Sequence, residues 1–288
     1  MRIFMKILLI IIIVLFVSGS TFILGGLNSE LLTVDYSVKG RSNTPDMKIA
    51  VISDLHSCKY GENQSELIDA VDAGKPDIVI MTGDIFDRAR DDSFSNTFLS
   101  IISKKYPCYY VTGNHEYRLG PDVYETRMNF IDSLGIVRLS GEFVEFEKNG
   151  KSVNICGVED PKSSQSVYFQ ERETYDILFE QLKSIKSNSN GDNFSILISH
   201  RPELFEDYVD YGFDLVLCGH AHGGQIVIPH IANGLLAPNQ GFFPEYAGGE
   251  YRKNNTVMIV SRGLARGTVN VPRLYNRPEL VFVTINGQ

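Results

Sequence analysis

Five of the six histidines in this 288-residue chain fall inside short polar clusters. In order these clusters are Asp54-Leu55-His56, Gly83-Asp84, Gly113-Asn114-His115-Glu116, Ser199-His200 and Gly219-His220-Ala221-His222-Gly223-Gly224. Carboxylate, amide and imidazole are hard or borderline oxygen and nitrogen donors, a set that suits Mn²⁺, Fe or Zn²⁺ and does not suit a structural thiolate zinc. Taken singly, each cluster also fits an ordinary loop histidine or a hydrogen-bonded turn carboxylate. Taken together they hold too many donors for one ion, and two ions sharing a carboxylate is the economical arrangement. The glycines at 83, 113, 219, 223 and 224 permit turns that bring side chains and a phosphate close to the backbone. A serine-nucleophile mechanism is not indicated, because no Gly-x-Ser-x-Gly elbow occurs.

Each cluster follows an apolar, β-branched run that reads as a buried strand: residues 47–53 (MKIAVIS), 77–82 (DIVIMT), 108–112 (CYYVT), 194–199 (FSILIS) and 214–218 (DLVLC). Between them, residues 64–73, 91–104, 121–134 and 171–186 have helical length and spacing. Strand–helix alternation predicts a parallel sheet covered by helices, with ligands gathered at the carboxyl ends of its strands. All five loops are therefore expected to converge from that first sheet. Residues 143–158, turning at Asn149-Gly150, and residues 256–260 with 280–285 read as antiparallel hairpins that would build a second sheet. The fold class expected is α/β (α+β), a helix–sheet–sheet–helix sandwich, with residues 31–38 as a short strand leading in.

The elements that position this site must also be placed in the cell. Residues 7–17 are an unbroken apolar run, and no charge appears between Lys6 and Glu30. Residues 7–27 as a helix would span about 31 Å, enough to cross a bilayer core. Arg2 and Lys6 in front of it predict a cytoplasmic N-terminus with the remainder outside. The expected organisation is an N-terminal transmembrane helix within residues 1–29 and one domain over residues 30–288. A signal peptide cleaved after Ser18-Gly19-Ser20 is the alternative, and it exports the domain equally.

The whole chain carries a formal charge of −8, and the part after residue 29 stands at −10 because the leader holds only Arg2 and Lys6. Such a surface repels a polyanion, so nucleic acid binding is not expected. The four cysteines show no CxxC spacing, and three lie in apolar strand-like runs, so buried free thiols are expected.

With these residues in view, the chain resembles the calcineurin-like metallophosphoesterases. Their ordered signature, D-x-H, G-D, G-N-H-D/E, a lone His and G-H-x-H, is met by the five clusters in order. The Ser199-His200-Arg201-Pro202-Glu203 stretch, the Gly223-Gly224-Gln225 extension and the Arg277-Pro278-Glu279 tail resemble the exported or membrane-anchored bacterial branch. The resemblance implies a four-layer αββα sandwich and a hydrolase of phosphoesters that uses two divalent metal ions, Mn²⁺ foremost, with Zn²⁺ or Fe as alternatives. It assigns Asp54, His56, Asp84 and His222 to one metal, and Asp84, Asn114, His200 and His220 to the other, so that Asp84 bridges. His115 is then the catalytic residue, placed over the phosphoryl group and bound to neither ion. One departure stands outside these blocks: Ala265-Arg266-Gly267 occupies the place where Gly-x-Ser is expected, which bears on substrate contacts.

Residues 233–251 are rich in glycine and carry Leu235, Leu236, Phe242, Phe243, Tyr246 and Tyr251. They read either as an apolar rim for a lipid-linked phosphoester or as a loop packed on its own domain. Arg262, Arg266, Arg273 and Arg277 are candidate phosphate clamps. The expected function is phosphomonoester, phosphodiester or pyrophosphate hydrolysis outside the cytoplasmic membrane. Alternatives are a nucleotide or glycerophosphodiester phosphodiesterase and, from a different class, a non-catalytic metal-stabilised envelope binding module.

Overall fold

The computed structural model describes residues 2–162, 171–266 and 272–287. Its strands are β1 (Leu32–Lys39), β2 (Met47–Ile52), β3 (Ile78–Met81), β4 (Cys108–Tyr110), β5 (Val137–Arg138), β6 (Glu142–Lys148), β7 (Lys151–Gly157), β8 (Phe194–Ile198), β9 (Leu215–Cys218), β10 (Leu236–Ala237), β11 (Gly241–Phe242), β12 (Gly249–Lys253), β13 (Thr256–Val260) and β14 (Glu279–Asn286). The helices are α1 (Arg2–Gly26), α2 (Ser65–Gly74), α3 (Ser93–Ile102), α4 (Pro121–Ser133), α5 (Glu171–Asn188) and α6 (Phe205–Tyr211).

Two six-stranded sheets stack face to face, in the orders β1-β14-β2-β3-β4-β5 and β12-β13-β9-β8-β7-β6. The two-residue period of a strand explains the layering. In β2, Ile49 and Val51 point into the core shared with Ile155, Ile196 and Leu217 of the second sheet. Their neighbours Ala50 and Ile52 point the other way, onto Leu67 and Val71 of α2 and Phe98 of α3. On the far side, Cys156, Leu197 and Val216 meet Leu182 of α5 and Tyr208 of α6. The result is the expected helix–sheet–sheet–helix sandwich. Strands buried on both faces show no apolar–polar alternation, which is why they read as continuous apolar runs.

The expectation of a single site-bearing sheet is corrected. β2, β3 and β4 pair in parallel in the first sheet, whereas β8 and β9 pair in parallel in the second. Their carboxyl ends meet at one edge of the sandwich. The hairpin expected between residues 256–260 and 280–285 is also corrected: β13 pairs with β12 and β9, while β14 lies between β1 and β2 in the other sheet. Both strands are buried along nearly their whole length, so each needs partners on two sides, and a two-stranded ribbon supplies only one. The β6–β7 hairpin forms as expected, with Asn149 and Gly150 at positive φ. After β9, Ile226 and Ile228 make only isolated bridges, to Leu274 and Ala232.

The N-terminal segment is helical, and most of the described side chains of α1, among them Phe4, Phe16 and Leu24, are exposed. Among the described residues, no helix is long and apolar enough to cross a membrane. The expected transmembrane span therefore finds no support here. Several α1 side chains and Gly267 of the Ala265-Arg266-Gly267 departure lie outside the described residues. All four cysteines are buried and free.

Candidate metal centre

At the end of β2 the chain turns sharply, with Asp54, His56 and Ser57 at φ of 50°, 48° and 49°. Asp84 after β3 and His220 and His222 after β9 share this left-handed conformation, at 51°, 67° and 49°. It is uncommon for residues with a β-carbon and persists where surrounding contacts over-determine it. Those contacts are visible. The His220 amide donates to both Asp54 carboxylate oxygens at 3.2 and 3.1 Å, and the His115 amide donates to Asp84 Oδ1 at 2.7 Å. Glu116 accepts from the amides of Asp84, Ile85 and Gly113 at 3.0, 2.9 and 2.8 Å, tying the β3 and β4 loops together. Two glycines serve close approach: a β-carbon on Gly113 would fall 2.3 Å from Asp84 Oδ1, and one on Gly219 would fall 1.9 Å from Ser53 Oγ.

These loops bring six of the seven expected ligands into one buried cluster, with Asn114 buried in the loop beside it. Asp54, His56, Asp84 and His222 each offer a ligand atom within 4.8 Å of the others, as do Asp84, His200 and His220. Asp84 belongs to both groups. His56 Nε2 stands 3.5 Å from Asp84 Oδ2 and 4.0 Å from Asp54 Oδ1, and His200 Nε2 stands 3.3 Å from Asp84 Oδ2. Asn114 is buried between Gly113 and His115, both of which contact Asp84.

The donor set fits a pair of divalent cations. His56 Nε2 and Asn114 Oδ1 are buried with no hydrogen-bond partner, a costly arrangement for atoms with nothing else to bind. His200 Nδ1 lies 2.7 Å from the Thr82 carbonyl, to which only an N–H can donate, so a neutral ring presents a lone pair at Nε2. That lone pair faces His220 Nδ1 at 3.1 Å.

In the ion-free cluster the histidines are held in different charge states. Burial opposes a charged His200, but Asp84 outweighs it and pushes the imidazole up to about 10. Burial would likewise raise Asp84, yet His200 and His56 hold it well below the usual carboxylate range. Burial pushes His222 down to about 3 and His220 well below its ordinary value, so both present neutral rings.

His115 sits at the margin of the cluster, its ring edge-on to His56 with centroids 4.4 Å apart. Its Nδ1 lies 3.2 Å from Asp87 Oδ2, and the same oxygen is 2.9 Å from His56 Nδ1. Asp87 was not singled out in the sequence, although an acid three residues beyond Asp84 in the same loop was the available signal. Also missed were Arg201, Asp160 and Asn239. Arg201 is buried, pairs with both carboxylate oxygens of Asp160, and reaches His220 and Asn239.

The four arginines offered as phosphate clamps have other partners. Arg262 bonds Asn233, Arg266 bonds Glu66 and covers the Tyr60 ring, and Arg277 bonds the carbonyls of Glu30 and Leu31. Arg273 is buried and donates to the carbonyls of Arg262 and Gly263. The aromatic segment divides between its two readings. Tyr246 packs against Phe205 and Tyr251, whereas Phe242 and Phe243 are exposed.

Residues 47–224 match the family model described as Calcineurin-like phosphoesterase. The chain is 27% identical over 274 residues to the uncharacterized metallophosphoesterase YkoQ of Bacillus subtilis, covering 88% of this chain and 95% of that protein. It is 29% identical over 247 residues to an uncharacterized metallophosphoesterase of Aquifex aeolicus, covering 84% and 86%. Against the phosphodiesterase YaeI of Escherichia coli, identity is 25% over 250 residues, covering 85% and 84%.

Proposed function

This chain belongs to the calcineurin-like phosphoesterase family, and from that premise we propose that it hydrolyses phosphoesters with two divalent cations on the outer side of the cytoplasmic membrane. The observation that carries the catalytic part is the position of Asp84, within ligand distance of both histidine groups and contributed by a loop between them. Asp54, His56, Asp84 and His222 would hold one cation, and Asp84, Asn114, His200 and His220 the other. Bound there, two divalent cations supply Lewis acidity for an in-line displacement at phosphorus.

The chain's own residues do the rest. Thr82 and Asp87 orient His200 and His56 through their Nδ1 atoms, leaving each Nε2 directed at Asp84. Asp87 Oδ2 also lies 3.2 Å from His115 Nδ1 and would hold that ring in place. With Nδ1 directed at Asp87, the ring's Nε2 would be the atom that serves the leaving oxygen, the task of a general acid beside the reacting phosphoryl group.

For the substrate we propose phosphomonoesters, phosphodiesters or pyrophosphates, with a lipid-linked phosphoester favoured by the exposed Phe242 and Phe243. A nucleotide or glycerophosphodiester phosphodiesterase is the second reading, favoured by the similarity to the phosphodiesterase of Escherichia coli. A non-catalytic binding module would be expected to lack at least one ligand or His115, and this sequence keeps all eight. The proposed location rests on the uncharged stretch between Lys6 and Glu30, as an anchor or a signal sequence. Among metals Mn²⁺ is proposed first, with Zn²⁺ or Fe as alternatives.

The deciding experiment loads the purified chain separately with Mn²⁺, Zn²⁺ and Fe²⁺ and offers each form a panel of lipid and nucleotide mono- and diesters. Turnover of a lipid phosphoester above all nucleotides supports the first reading. Preference for nucleotide or glycerol diesters selects the second, and no turnover with any metal sinks both.

A further inference from the structure

Asn239 lies on an exposed turn between β10 and β11, at a left-handed φ of 60°. Its side chain nevertheless reaches a buried histidine. One amide atom of Asn239 lies 2.7 Å from Arg201 Nη1 and 3.0 Å from His220 Nε2. A guanidinium only donates, so that atom is the carbonyl oxygen. Arg201 cannot swing away, because Asp160 grips its Nε and Nη2.

Arg201 and Asn239 make opposite demands on His220. Arg201 Nη1 itself lies 3.0 Å from His220 Nε2 and would donate to a lone pair there. A neutral imidazole carries one proton, so that arrangement puts the proton on Nδ1. Nδ1 is the atom that faces His200 Nε2 at 3.1 Å, within the Asp84 group. A proton there occupies the position a cation needs. The Asn239 oxygen makes the reverse demand: it accepts from Nε2–H, takes the Arg201 proton as well, and leaves Nδ1 bare.

We propose that Asn239 selects the Nε2-protonated tautomer of His220 and thereby readies Nδ1 for the second cation. It is a positioning residue, delivered by the segment that also carries the exposed Phe242 and Phe243. Docking of that segment and tight binding of the second ion are then one event. The inference rests on the assignment of His220 to the second cation.

Two variants of the full-length chain test it. Asn239→Gly removes the oxygen without backbone strain, since glycine accepts positive φ, and Asn239→Asp retains an acceptor. Ring-nitrogen NMR on the ion-free protein above about pH 10, where His200 is neutral and presents a lone pair to His220 Nδ1, with the His220 signals identified by comparison with His220→Gln, should find Nε2–H in the wild type and in Asn239→Asp. In Asn239→Gly the proton should move to Nδ1. Calorimetric titration with Mn²⁺ should show the second-ion affinity of Asn239→Gly reduced about 10- to 100-fold, the usual effect of losing a group that orients a ligand, with Asn239→Asp restoring it. An Nδ1–H wild type, an unchanged tautomer in Asn239→Gly, or failure of Asn239→Asp to rescue would overturn the inference. Should the wild type take up a single ion, the cation assignment falls, and the tautomer comparison alone decides the role of Asn239.

Discussion

Oδ2 of Asp84 lies 3.3 Å from Nε2 of His200, although one residue follows a strand of the first sheet and the other a strand of the second. The same oxygen is 3.5 Å from His56 Nε2. One carboxylate thus spans the seam between the sheets, and it belongs to two of the three groups of candidate ligands, the third being His56, Asp87 and His115. Asp84→Ala should therefore lose both ions, whereas Asn114→Ala, which removes a neutral amide, should weaken one. Metal content after gel filtration, measured by plasma mass spectrometry, checks this. Equal loss in the two variants would remove the bridging role.

Proton competition follows from the charge on His200. Its imidazole is pushed up to about 10 by Asp84 against burial, so at pH 6 to 8 the ion-free protein holds a proton that cation binding must expel. Burial opposes a charged His56 as well, but Asp87, Asp84 and Asp54 outweigh it and shift that imidazole in the same direction. Apparent affinity for the second ion should thus rise with pH by about tenfold per unit, one proton being released at His200 as it binds. The sign for folding is the reverse. In the ion-free protein a raised histidine contributes stability that is fully present below about 6.5 and is lost as pH rises through about 10. Calorimetry in buffers of different ionisation enthalpy counts the protons, and an affinity independent of pH would contradict the assignment.

For His115, general-acid chemistry predicts that His115→Ala keeps both ions and loses about 10²- to 10⁴-fold in turnover. The deficit should shrink for a nitrophenolate leaving group, which needs no proton. Asp87→Asn should give a smaller deficit in the same direction, because it leaves the His115 ring in place with a weaker partner. Loss of an ion by His115→Ala, with recovery at high metal concentration, would show His115 to be a ligand instead.

Topology is tested on intact cells. Protease added to spheroplasts should degrade the domain and spare cytoplasmic markers, as the arrangement of Arg2, Lys6 and the uncharged stretch predicts. A mature N-terminus near Thr21 would identify a cleaved signal, and protection of the domain would place it inside.

The ligand clusters could be read from the sequence because each is a short local motif directly after an apolar strand. Their division between two sheets could not. Strands 47–52 and 194–198 look alike when both faces are buried, and only long-range pairing separates them. The same ambiguity made β13 and β14 look like a hairpin. Asp87 and Asn239 escaped notice for another reason: an isolated acid or amide in a loop carries no periodic signal, and its role exists only once the fold brings a histidine to it. Arg201 was visible only as part of a motif, and its grip on Asp160 joins residues 41 positions apart.

The account stands most directly on one titration. Chelator-treated protein, dialysed free of chelator, is titrated with Mn²⁺ while bound metal and phosphodiester turnover are followed on the same sample. The expected result is no turnover without metal, two ions bound per chain, and activity that tracks occupancy of the second site. Saturation at one ion, or full activity persisting in excess chelator, would contradict a shared two-metal centre at Asp84.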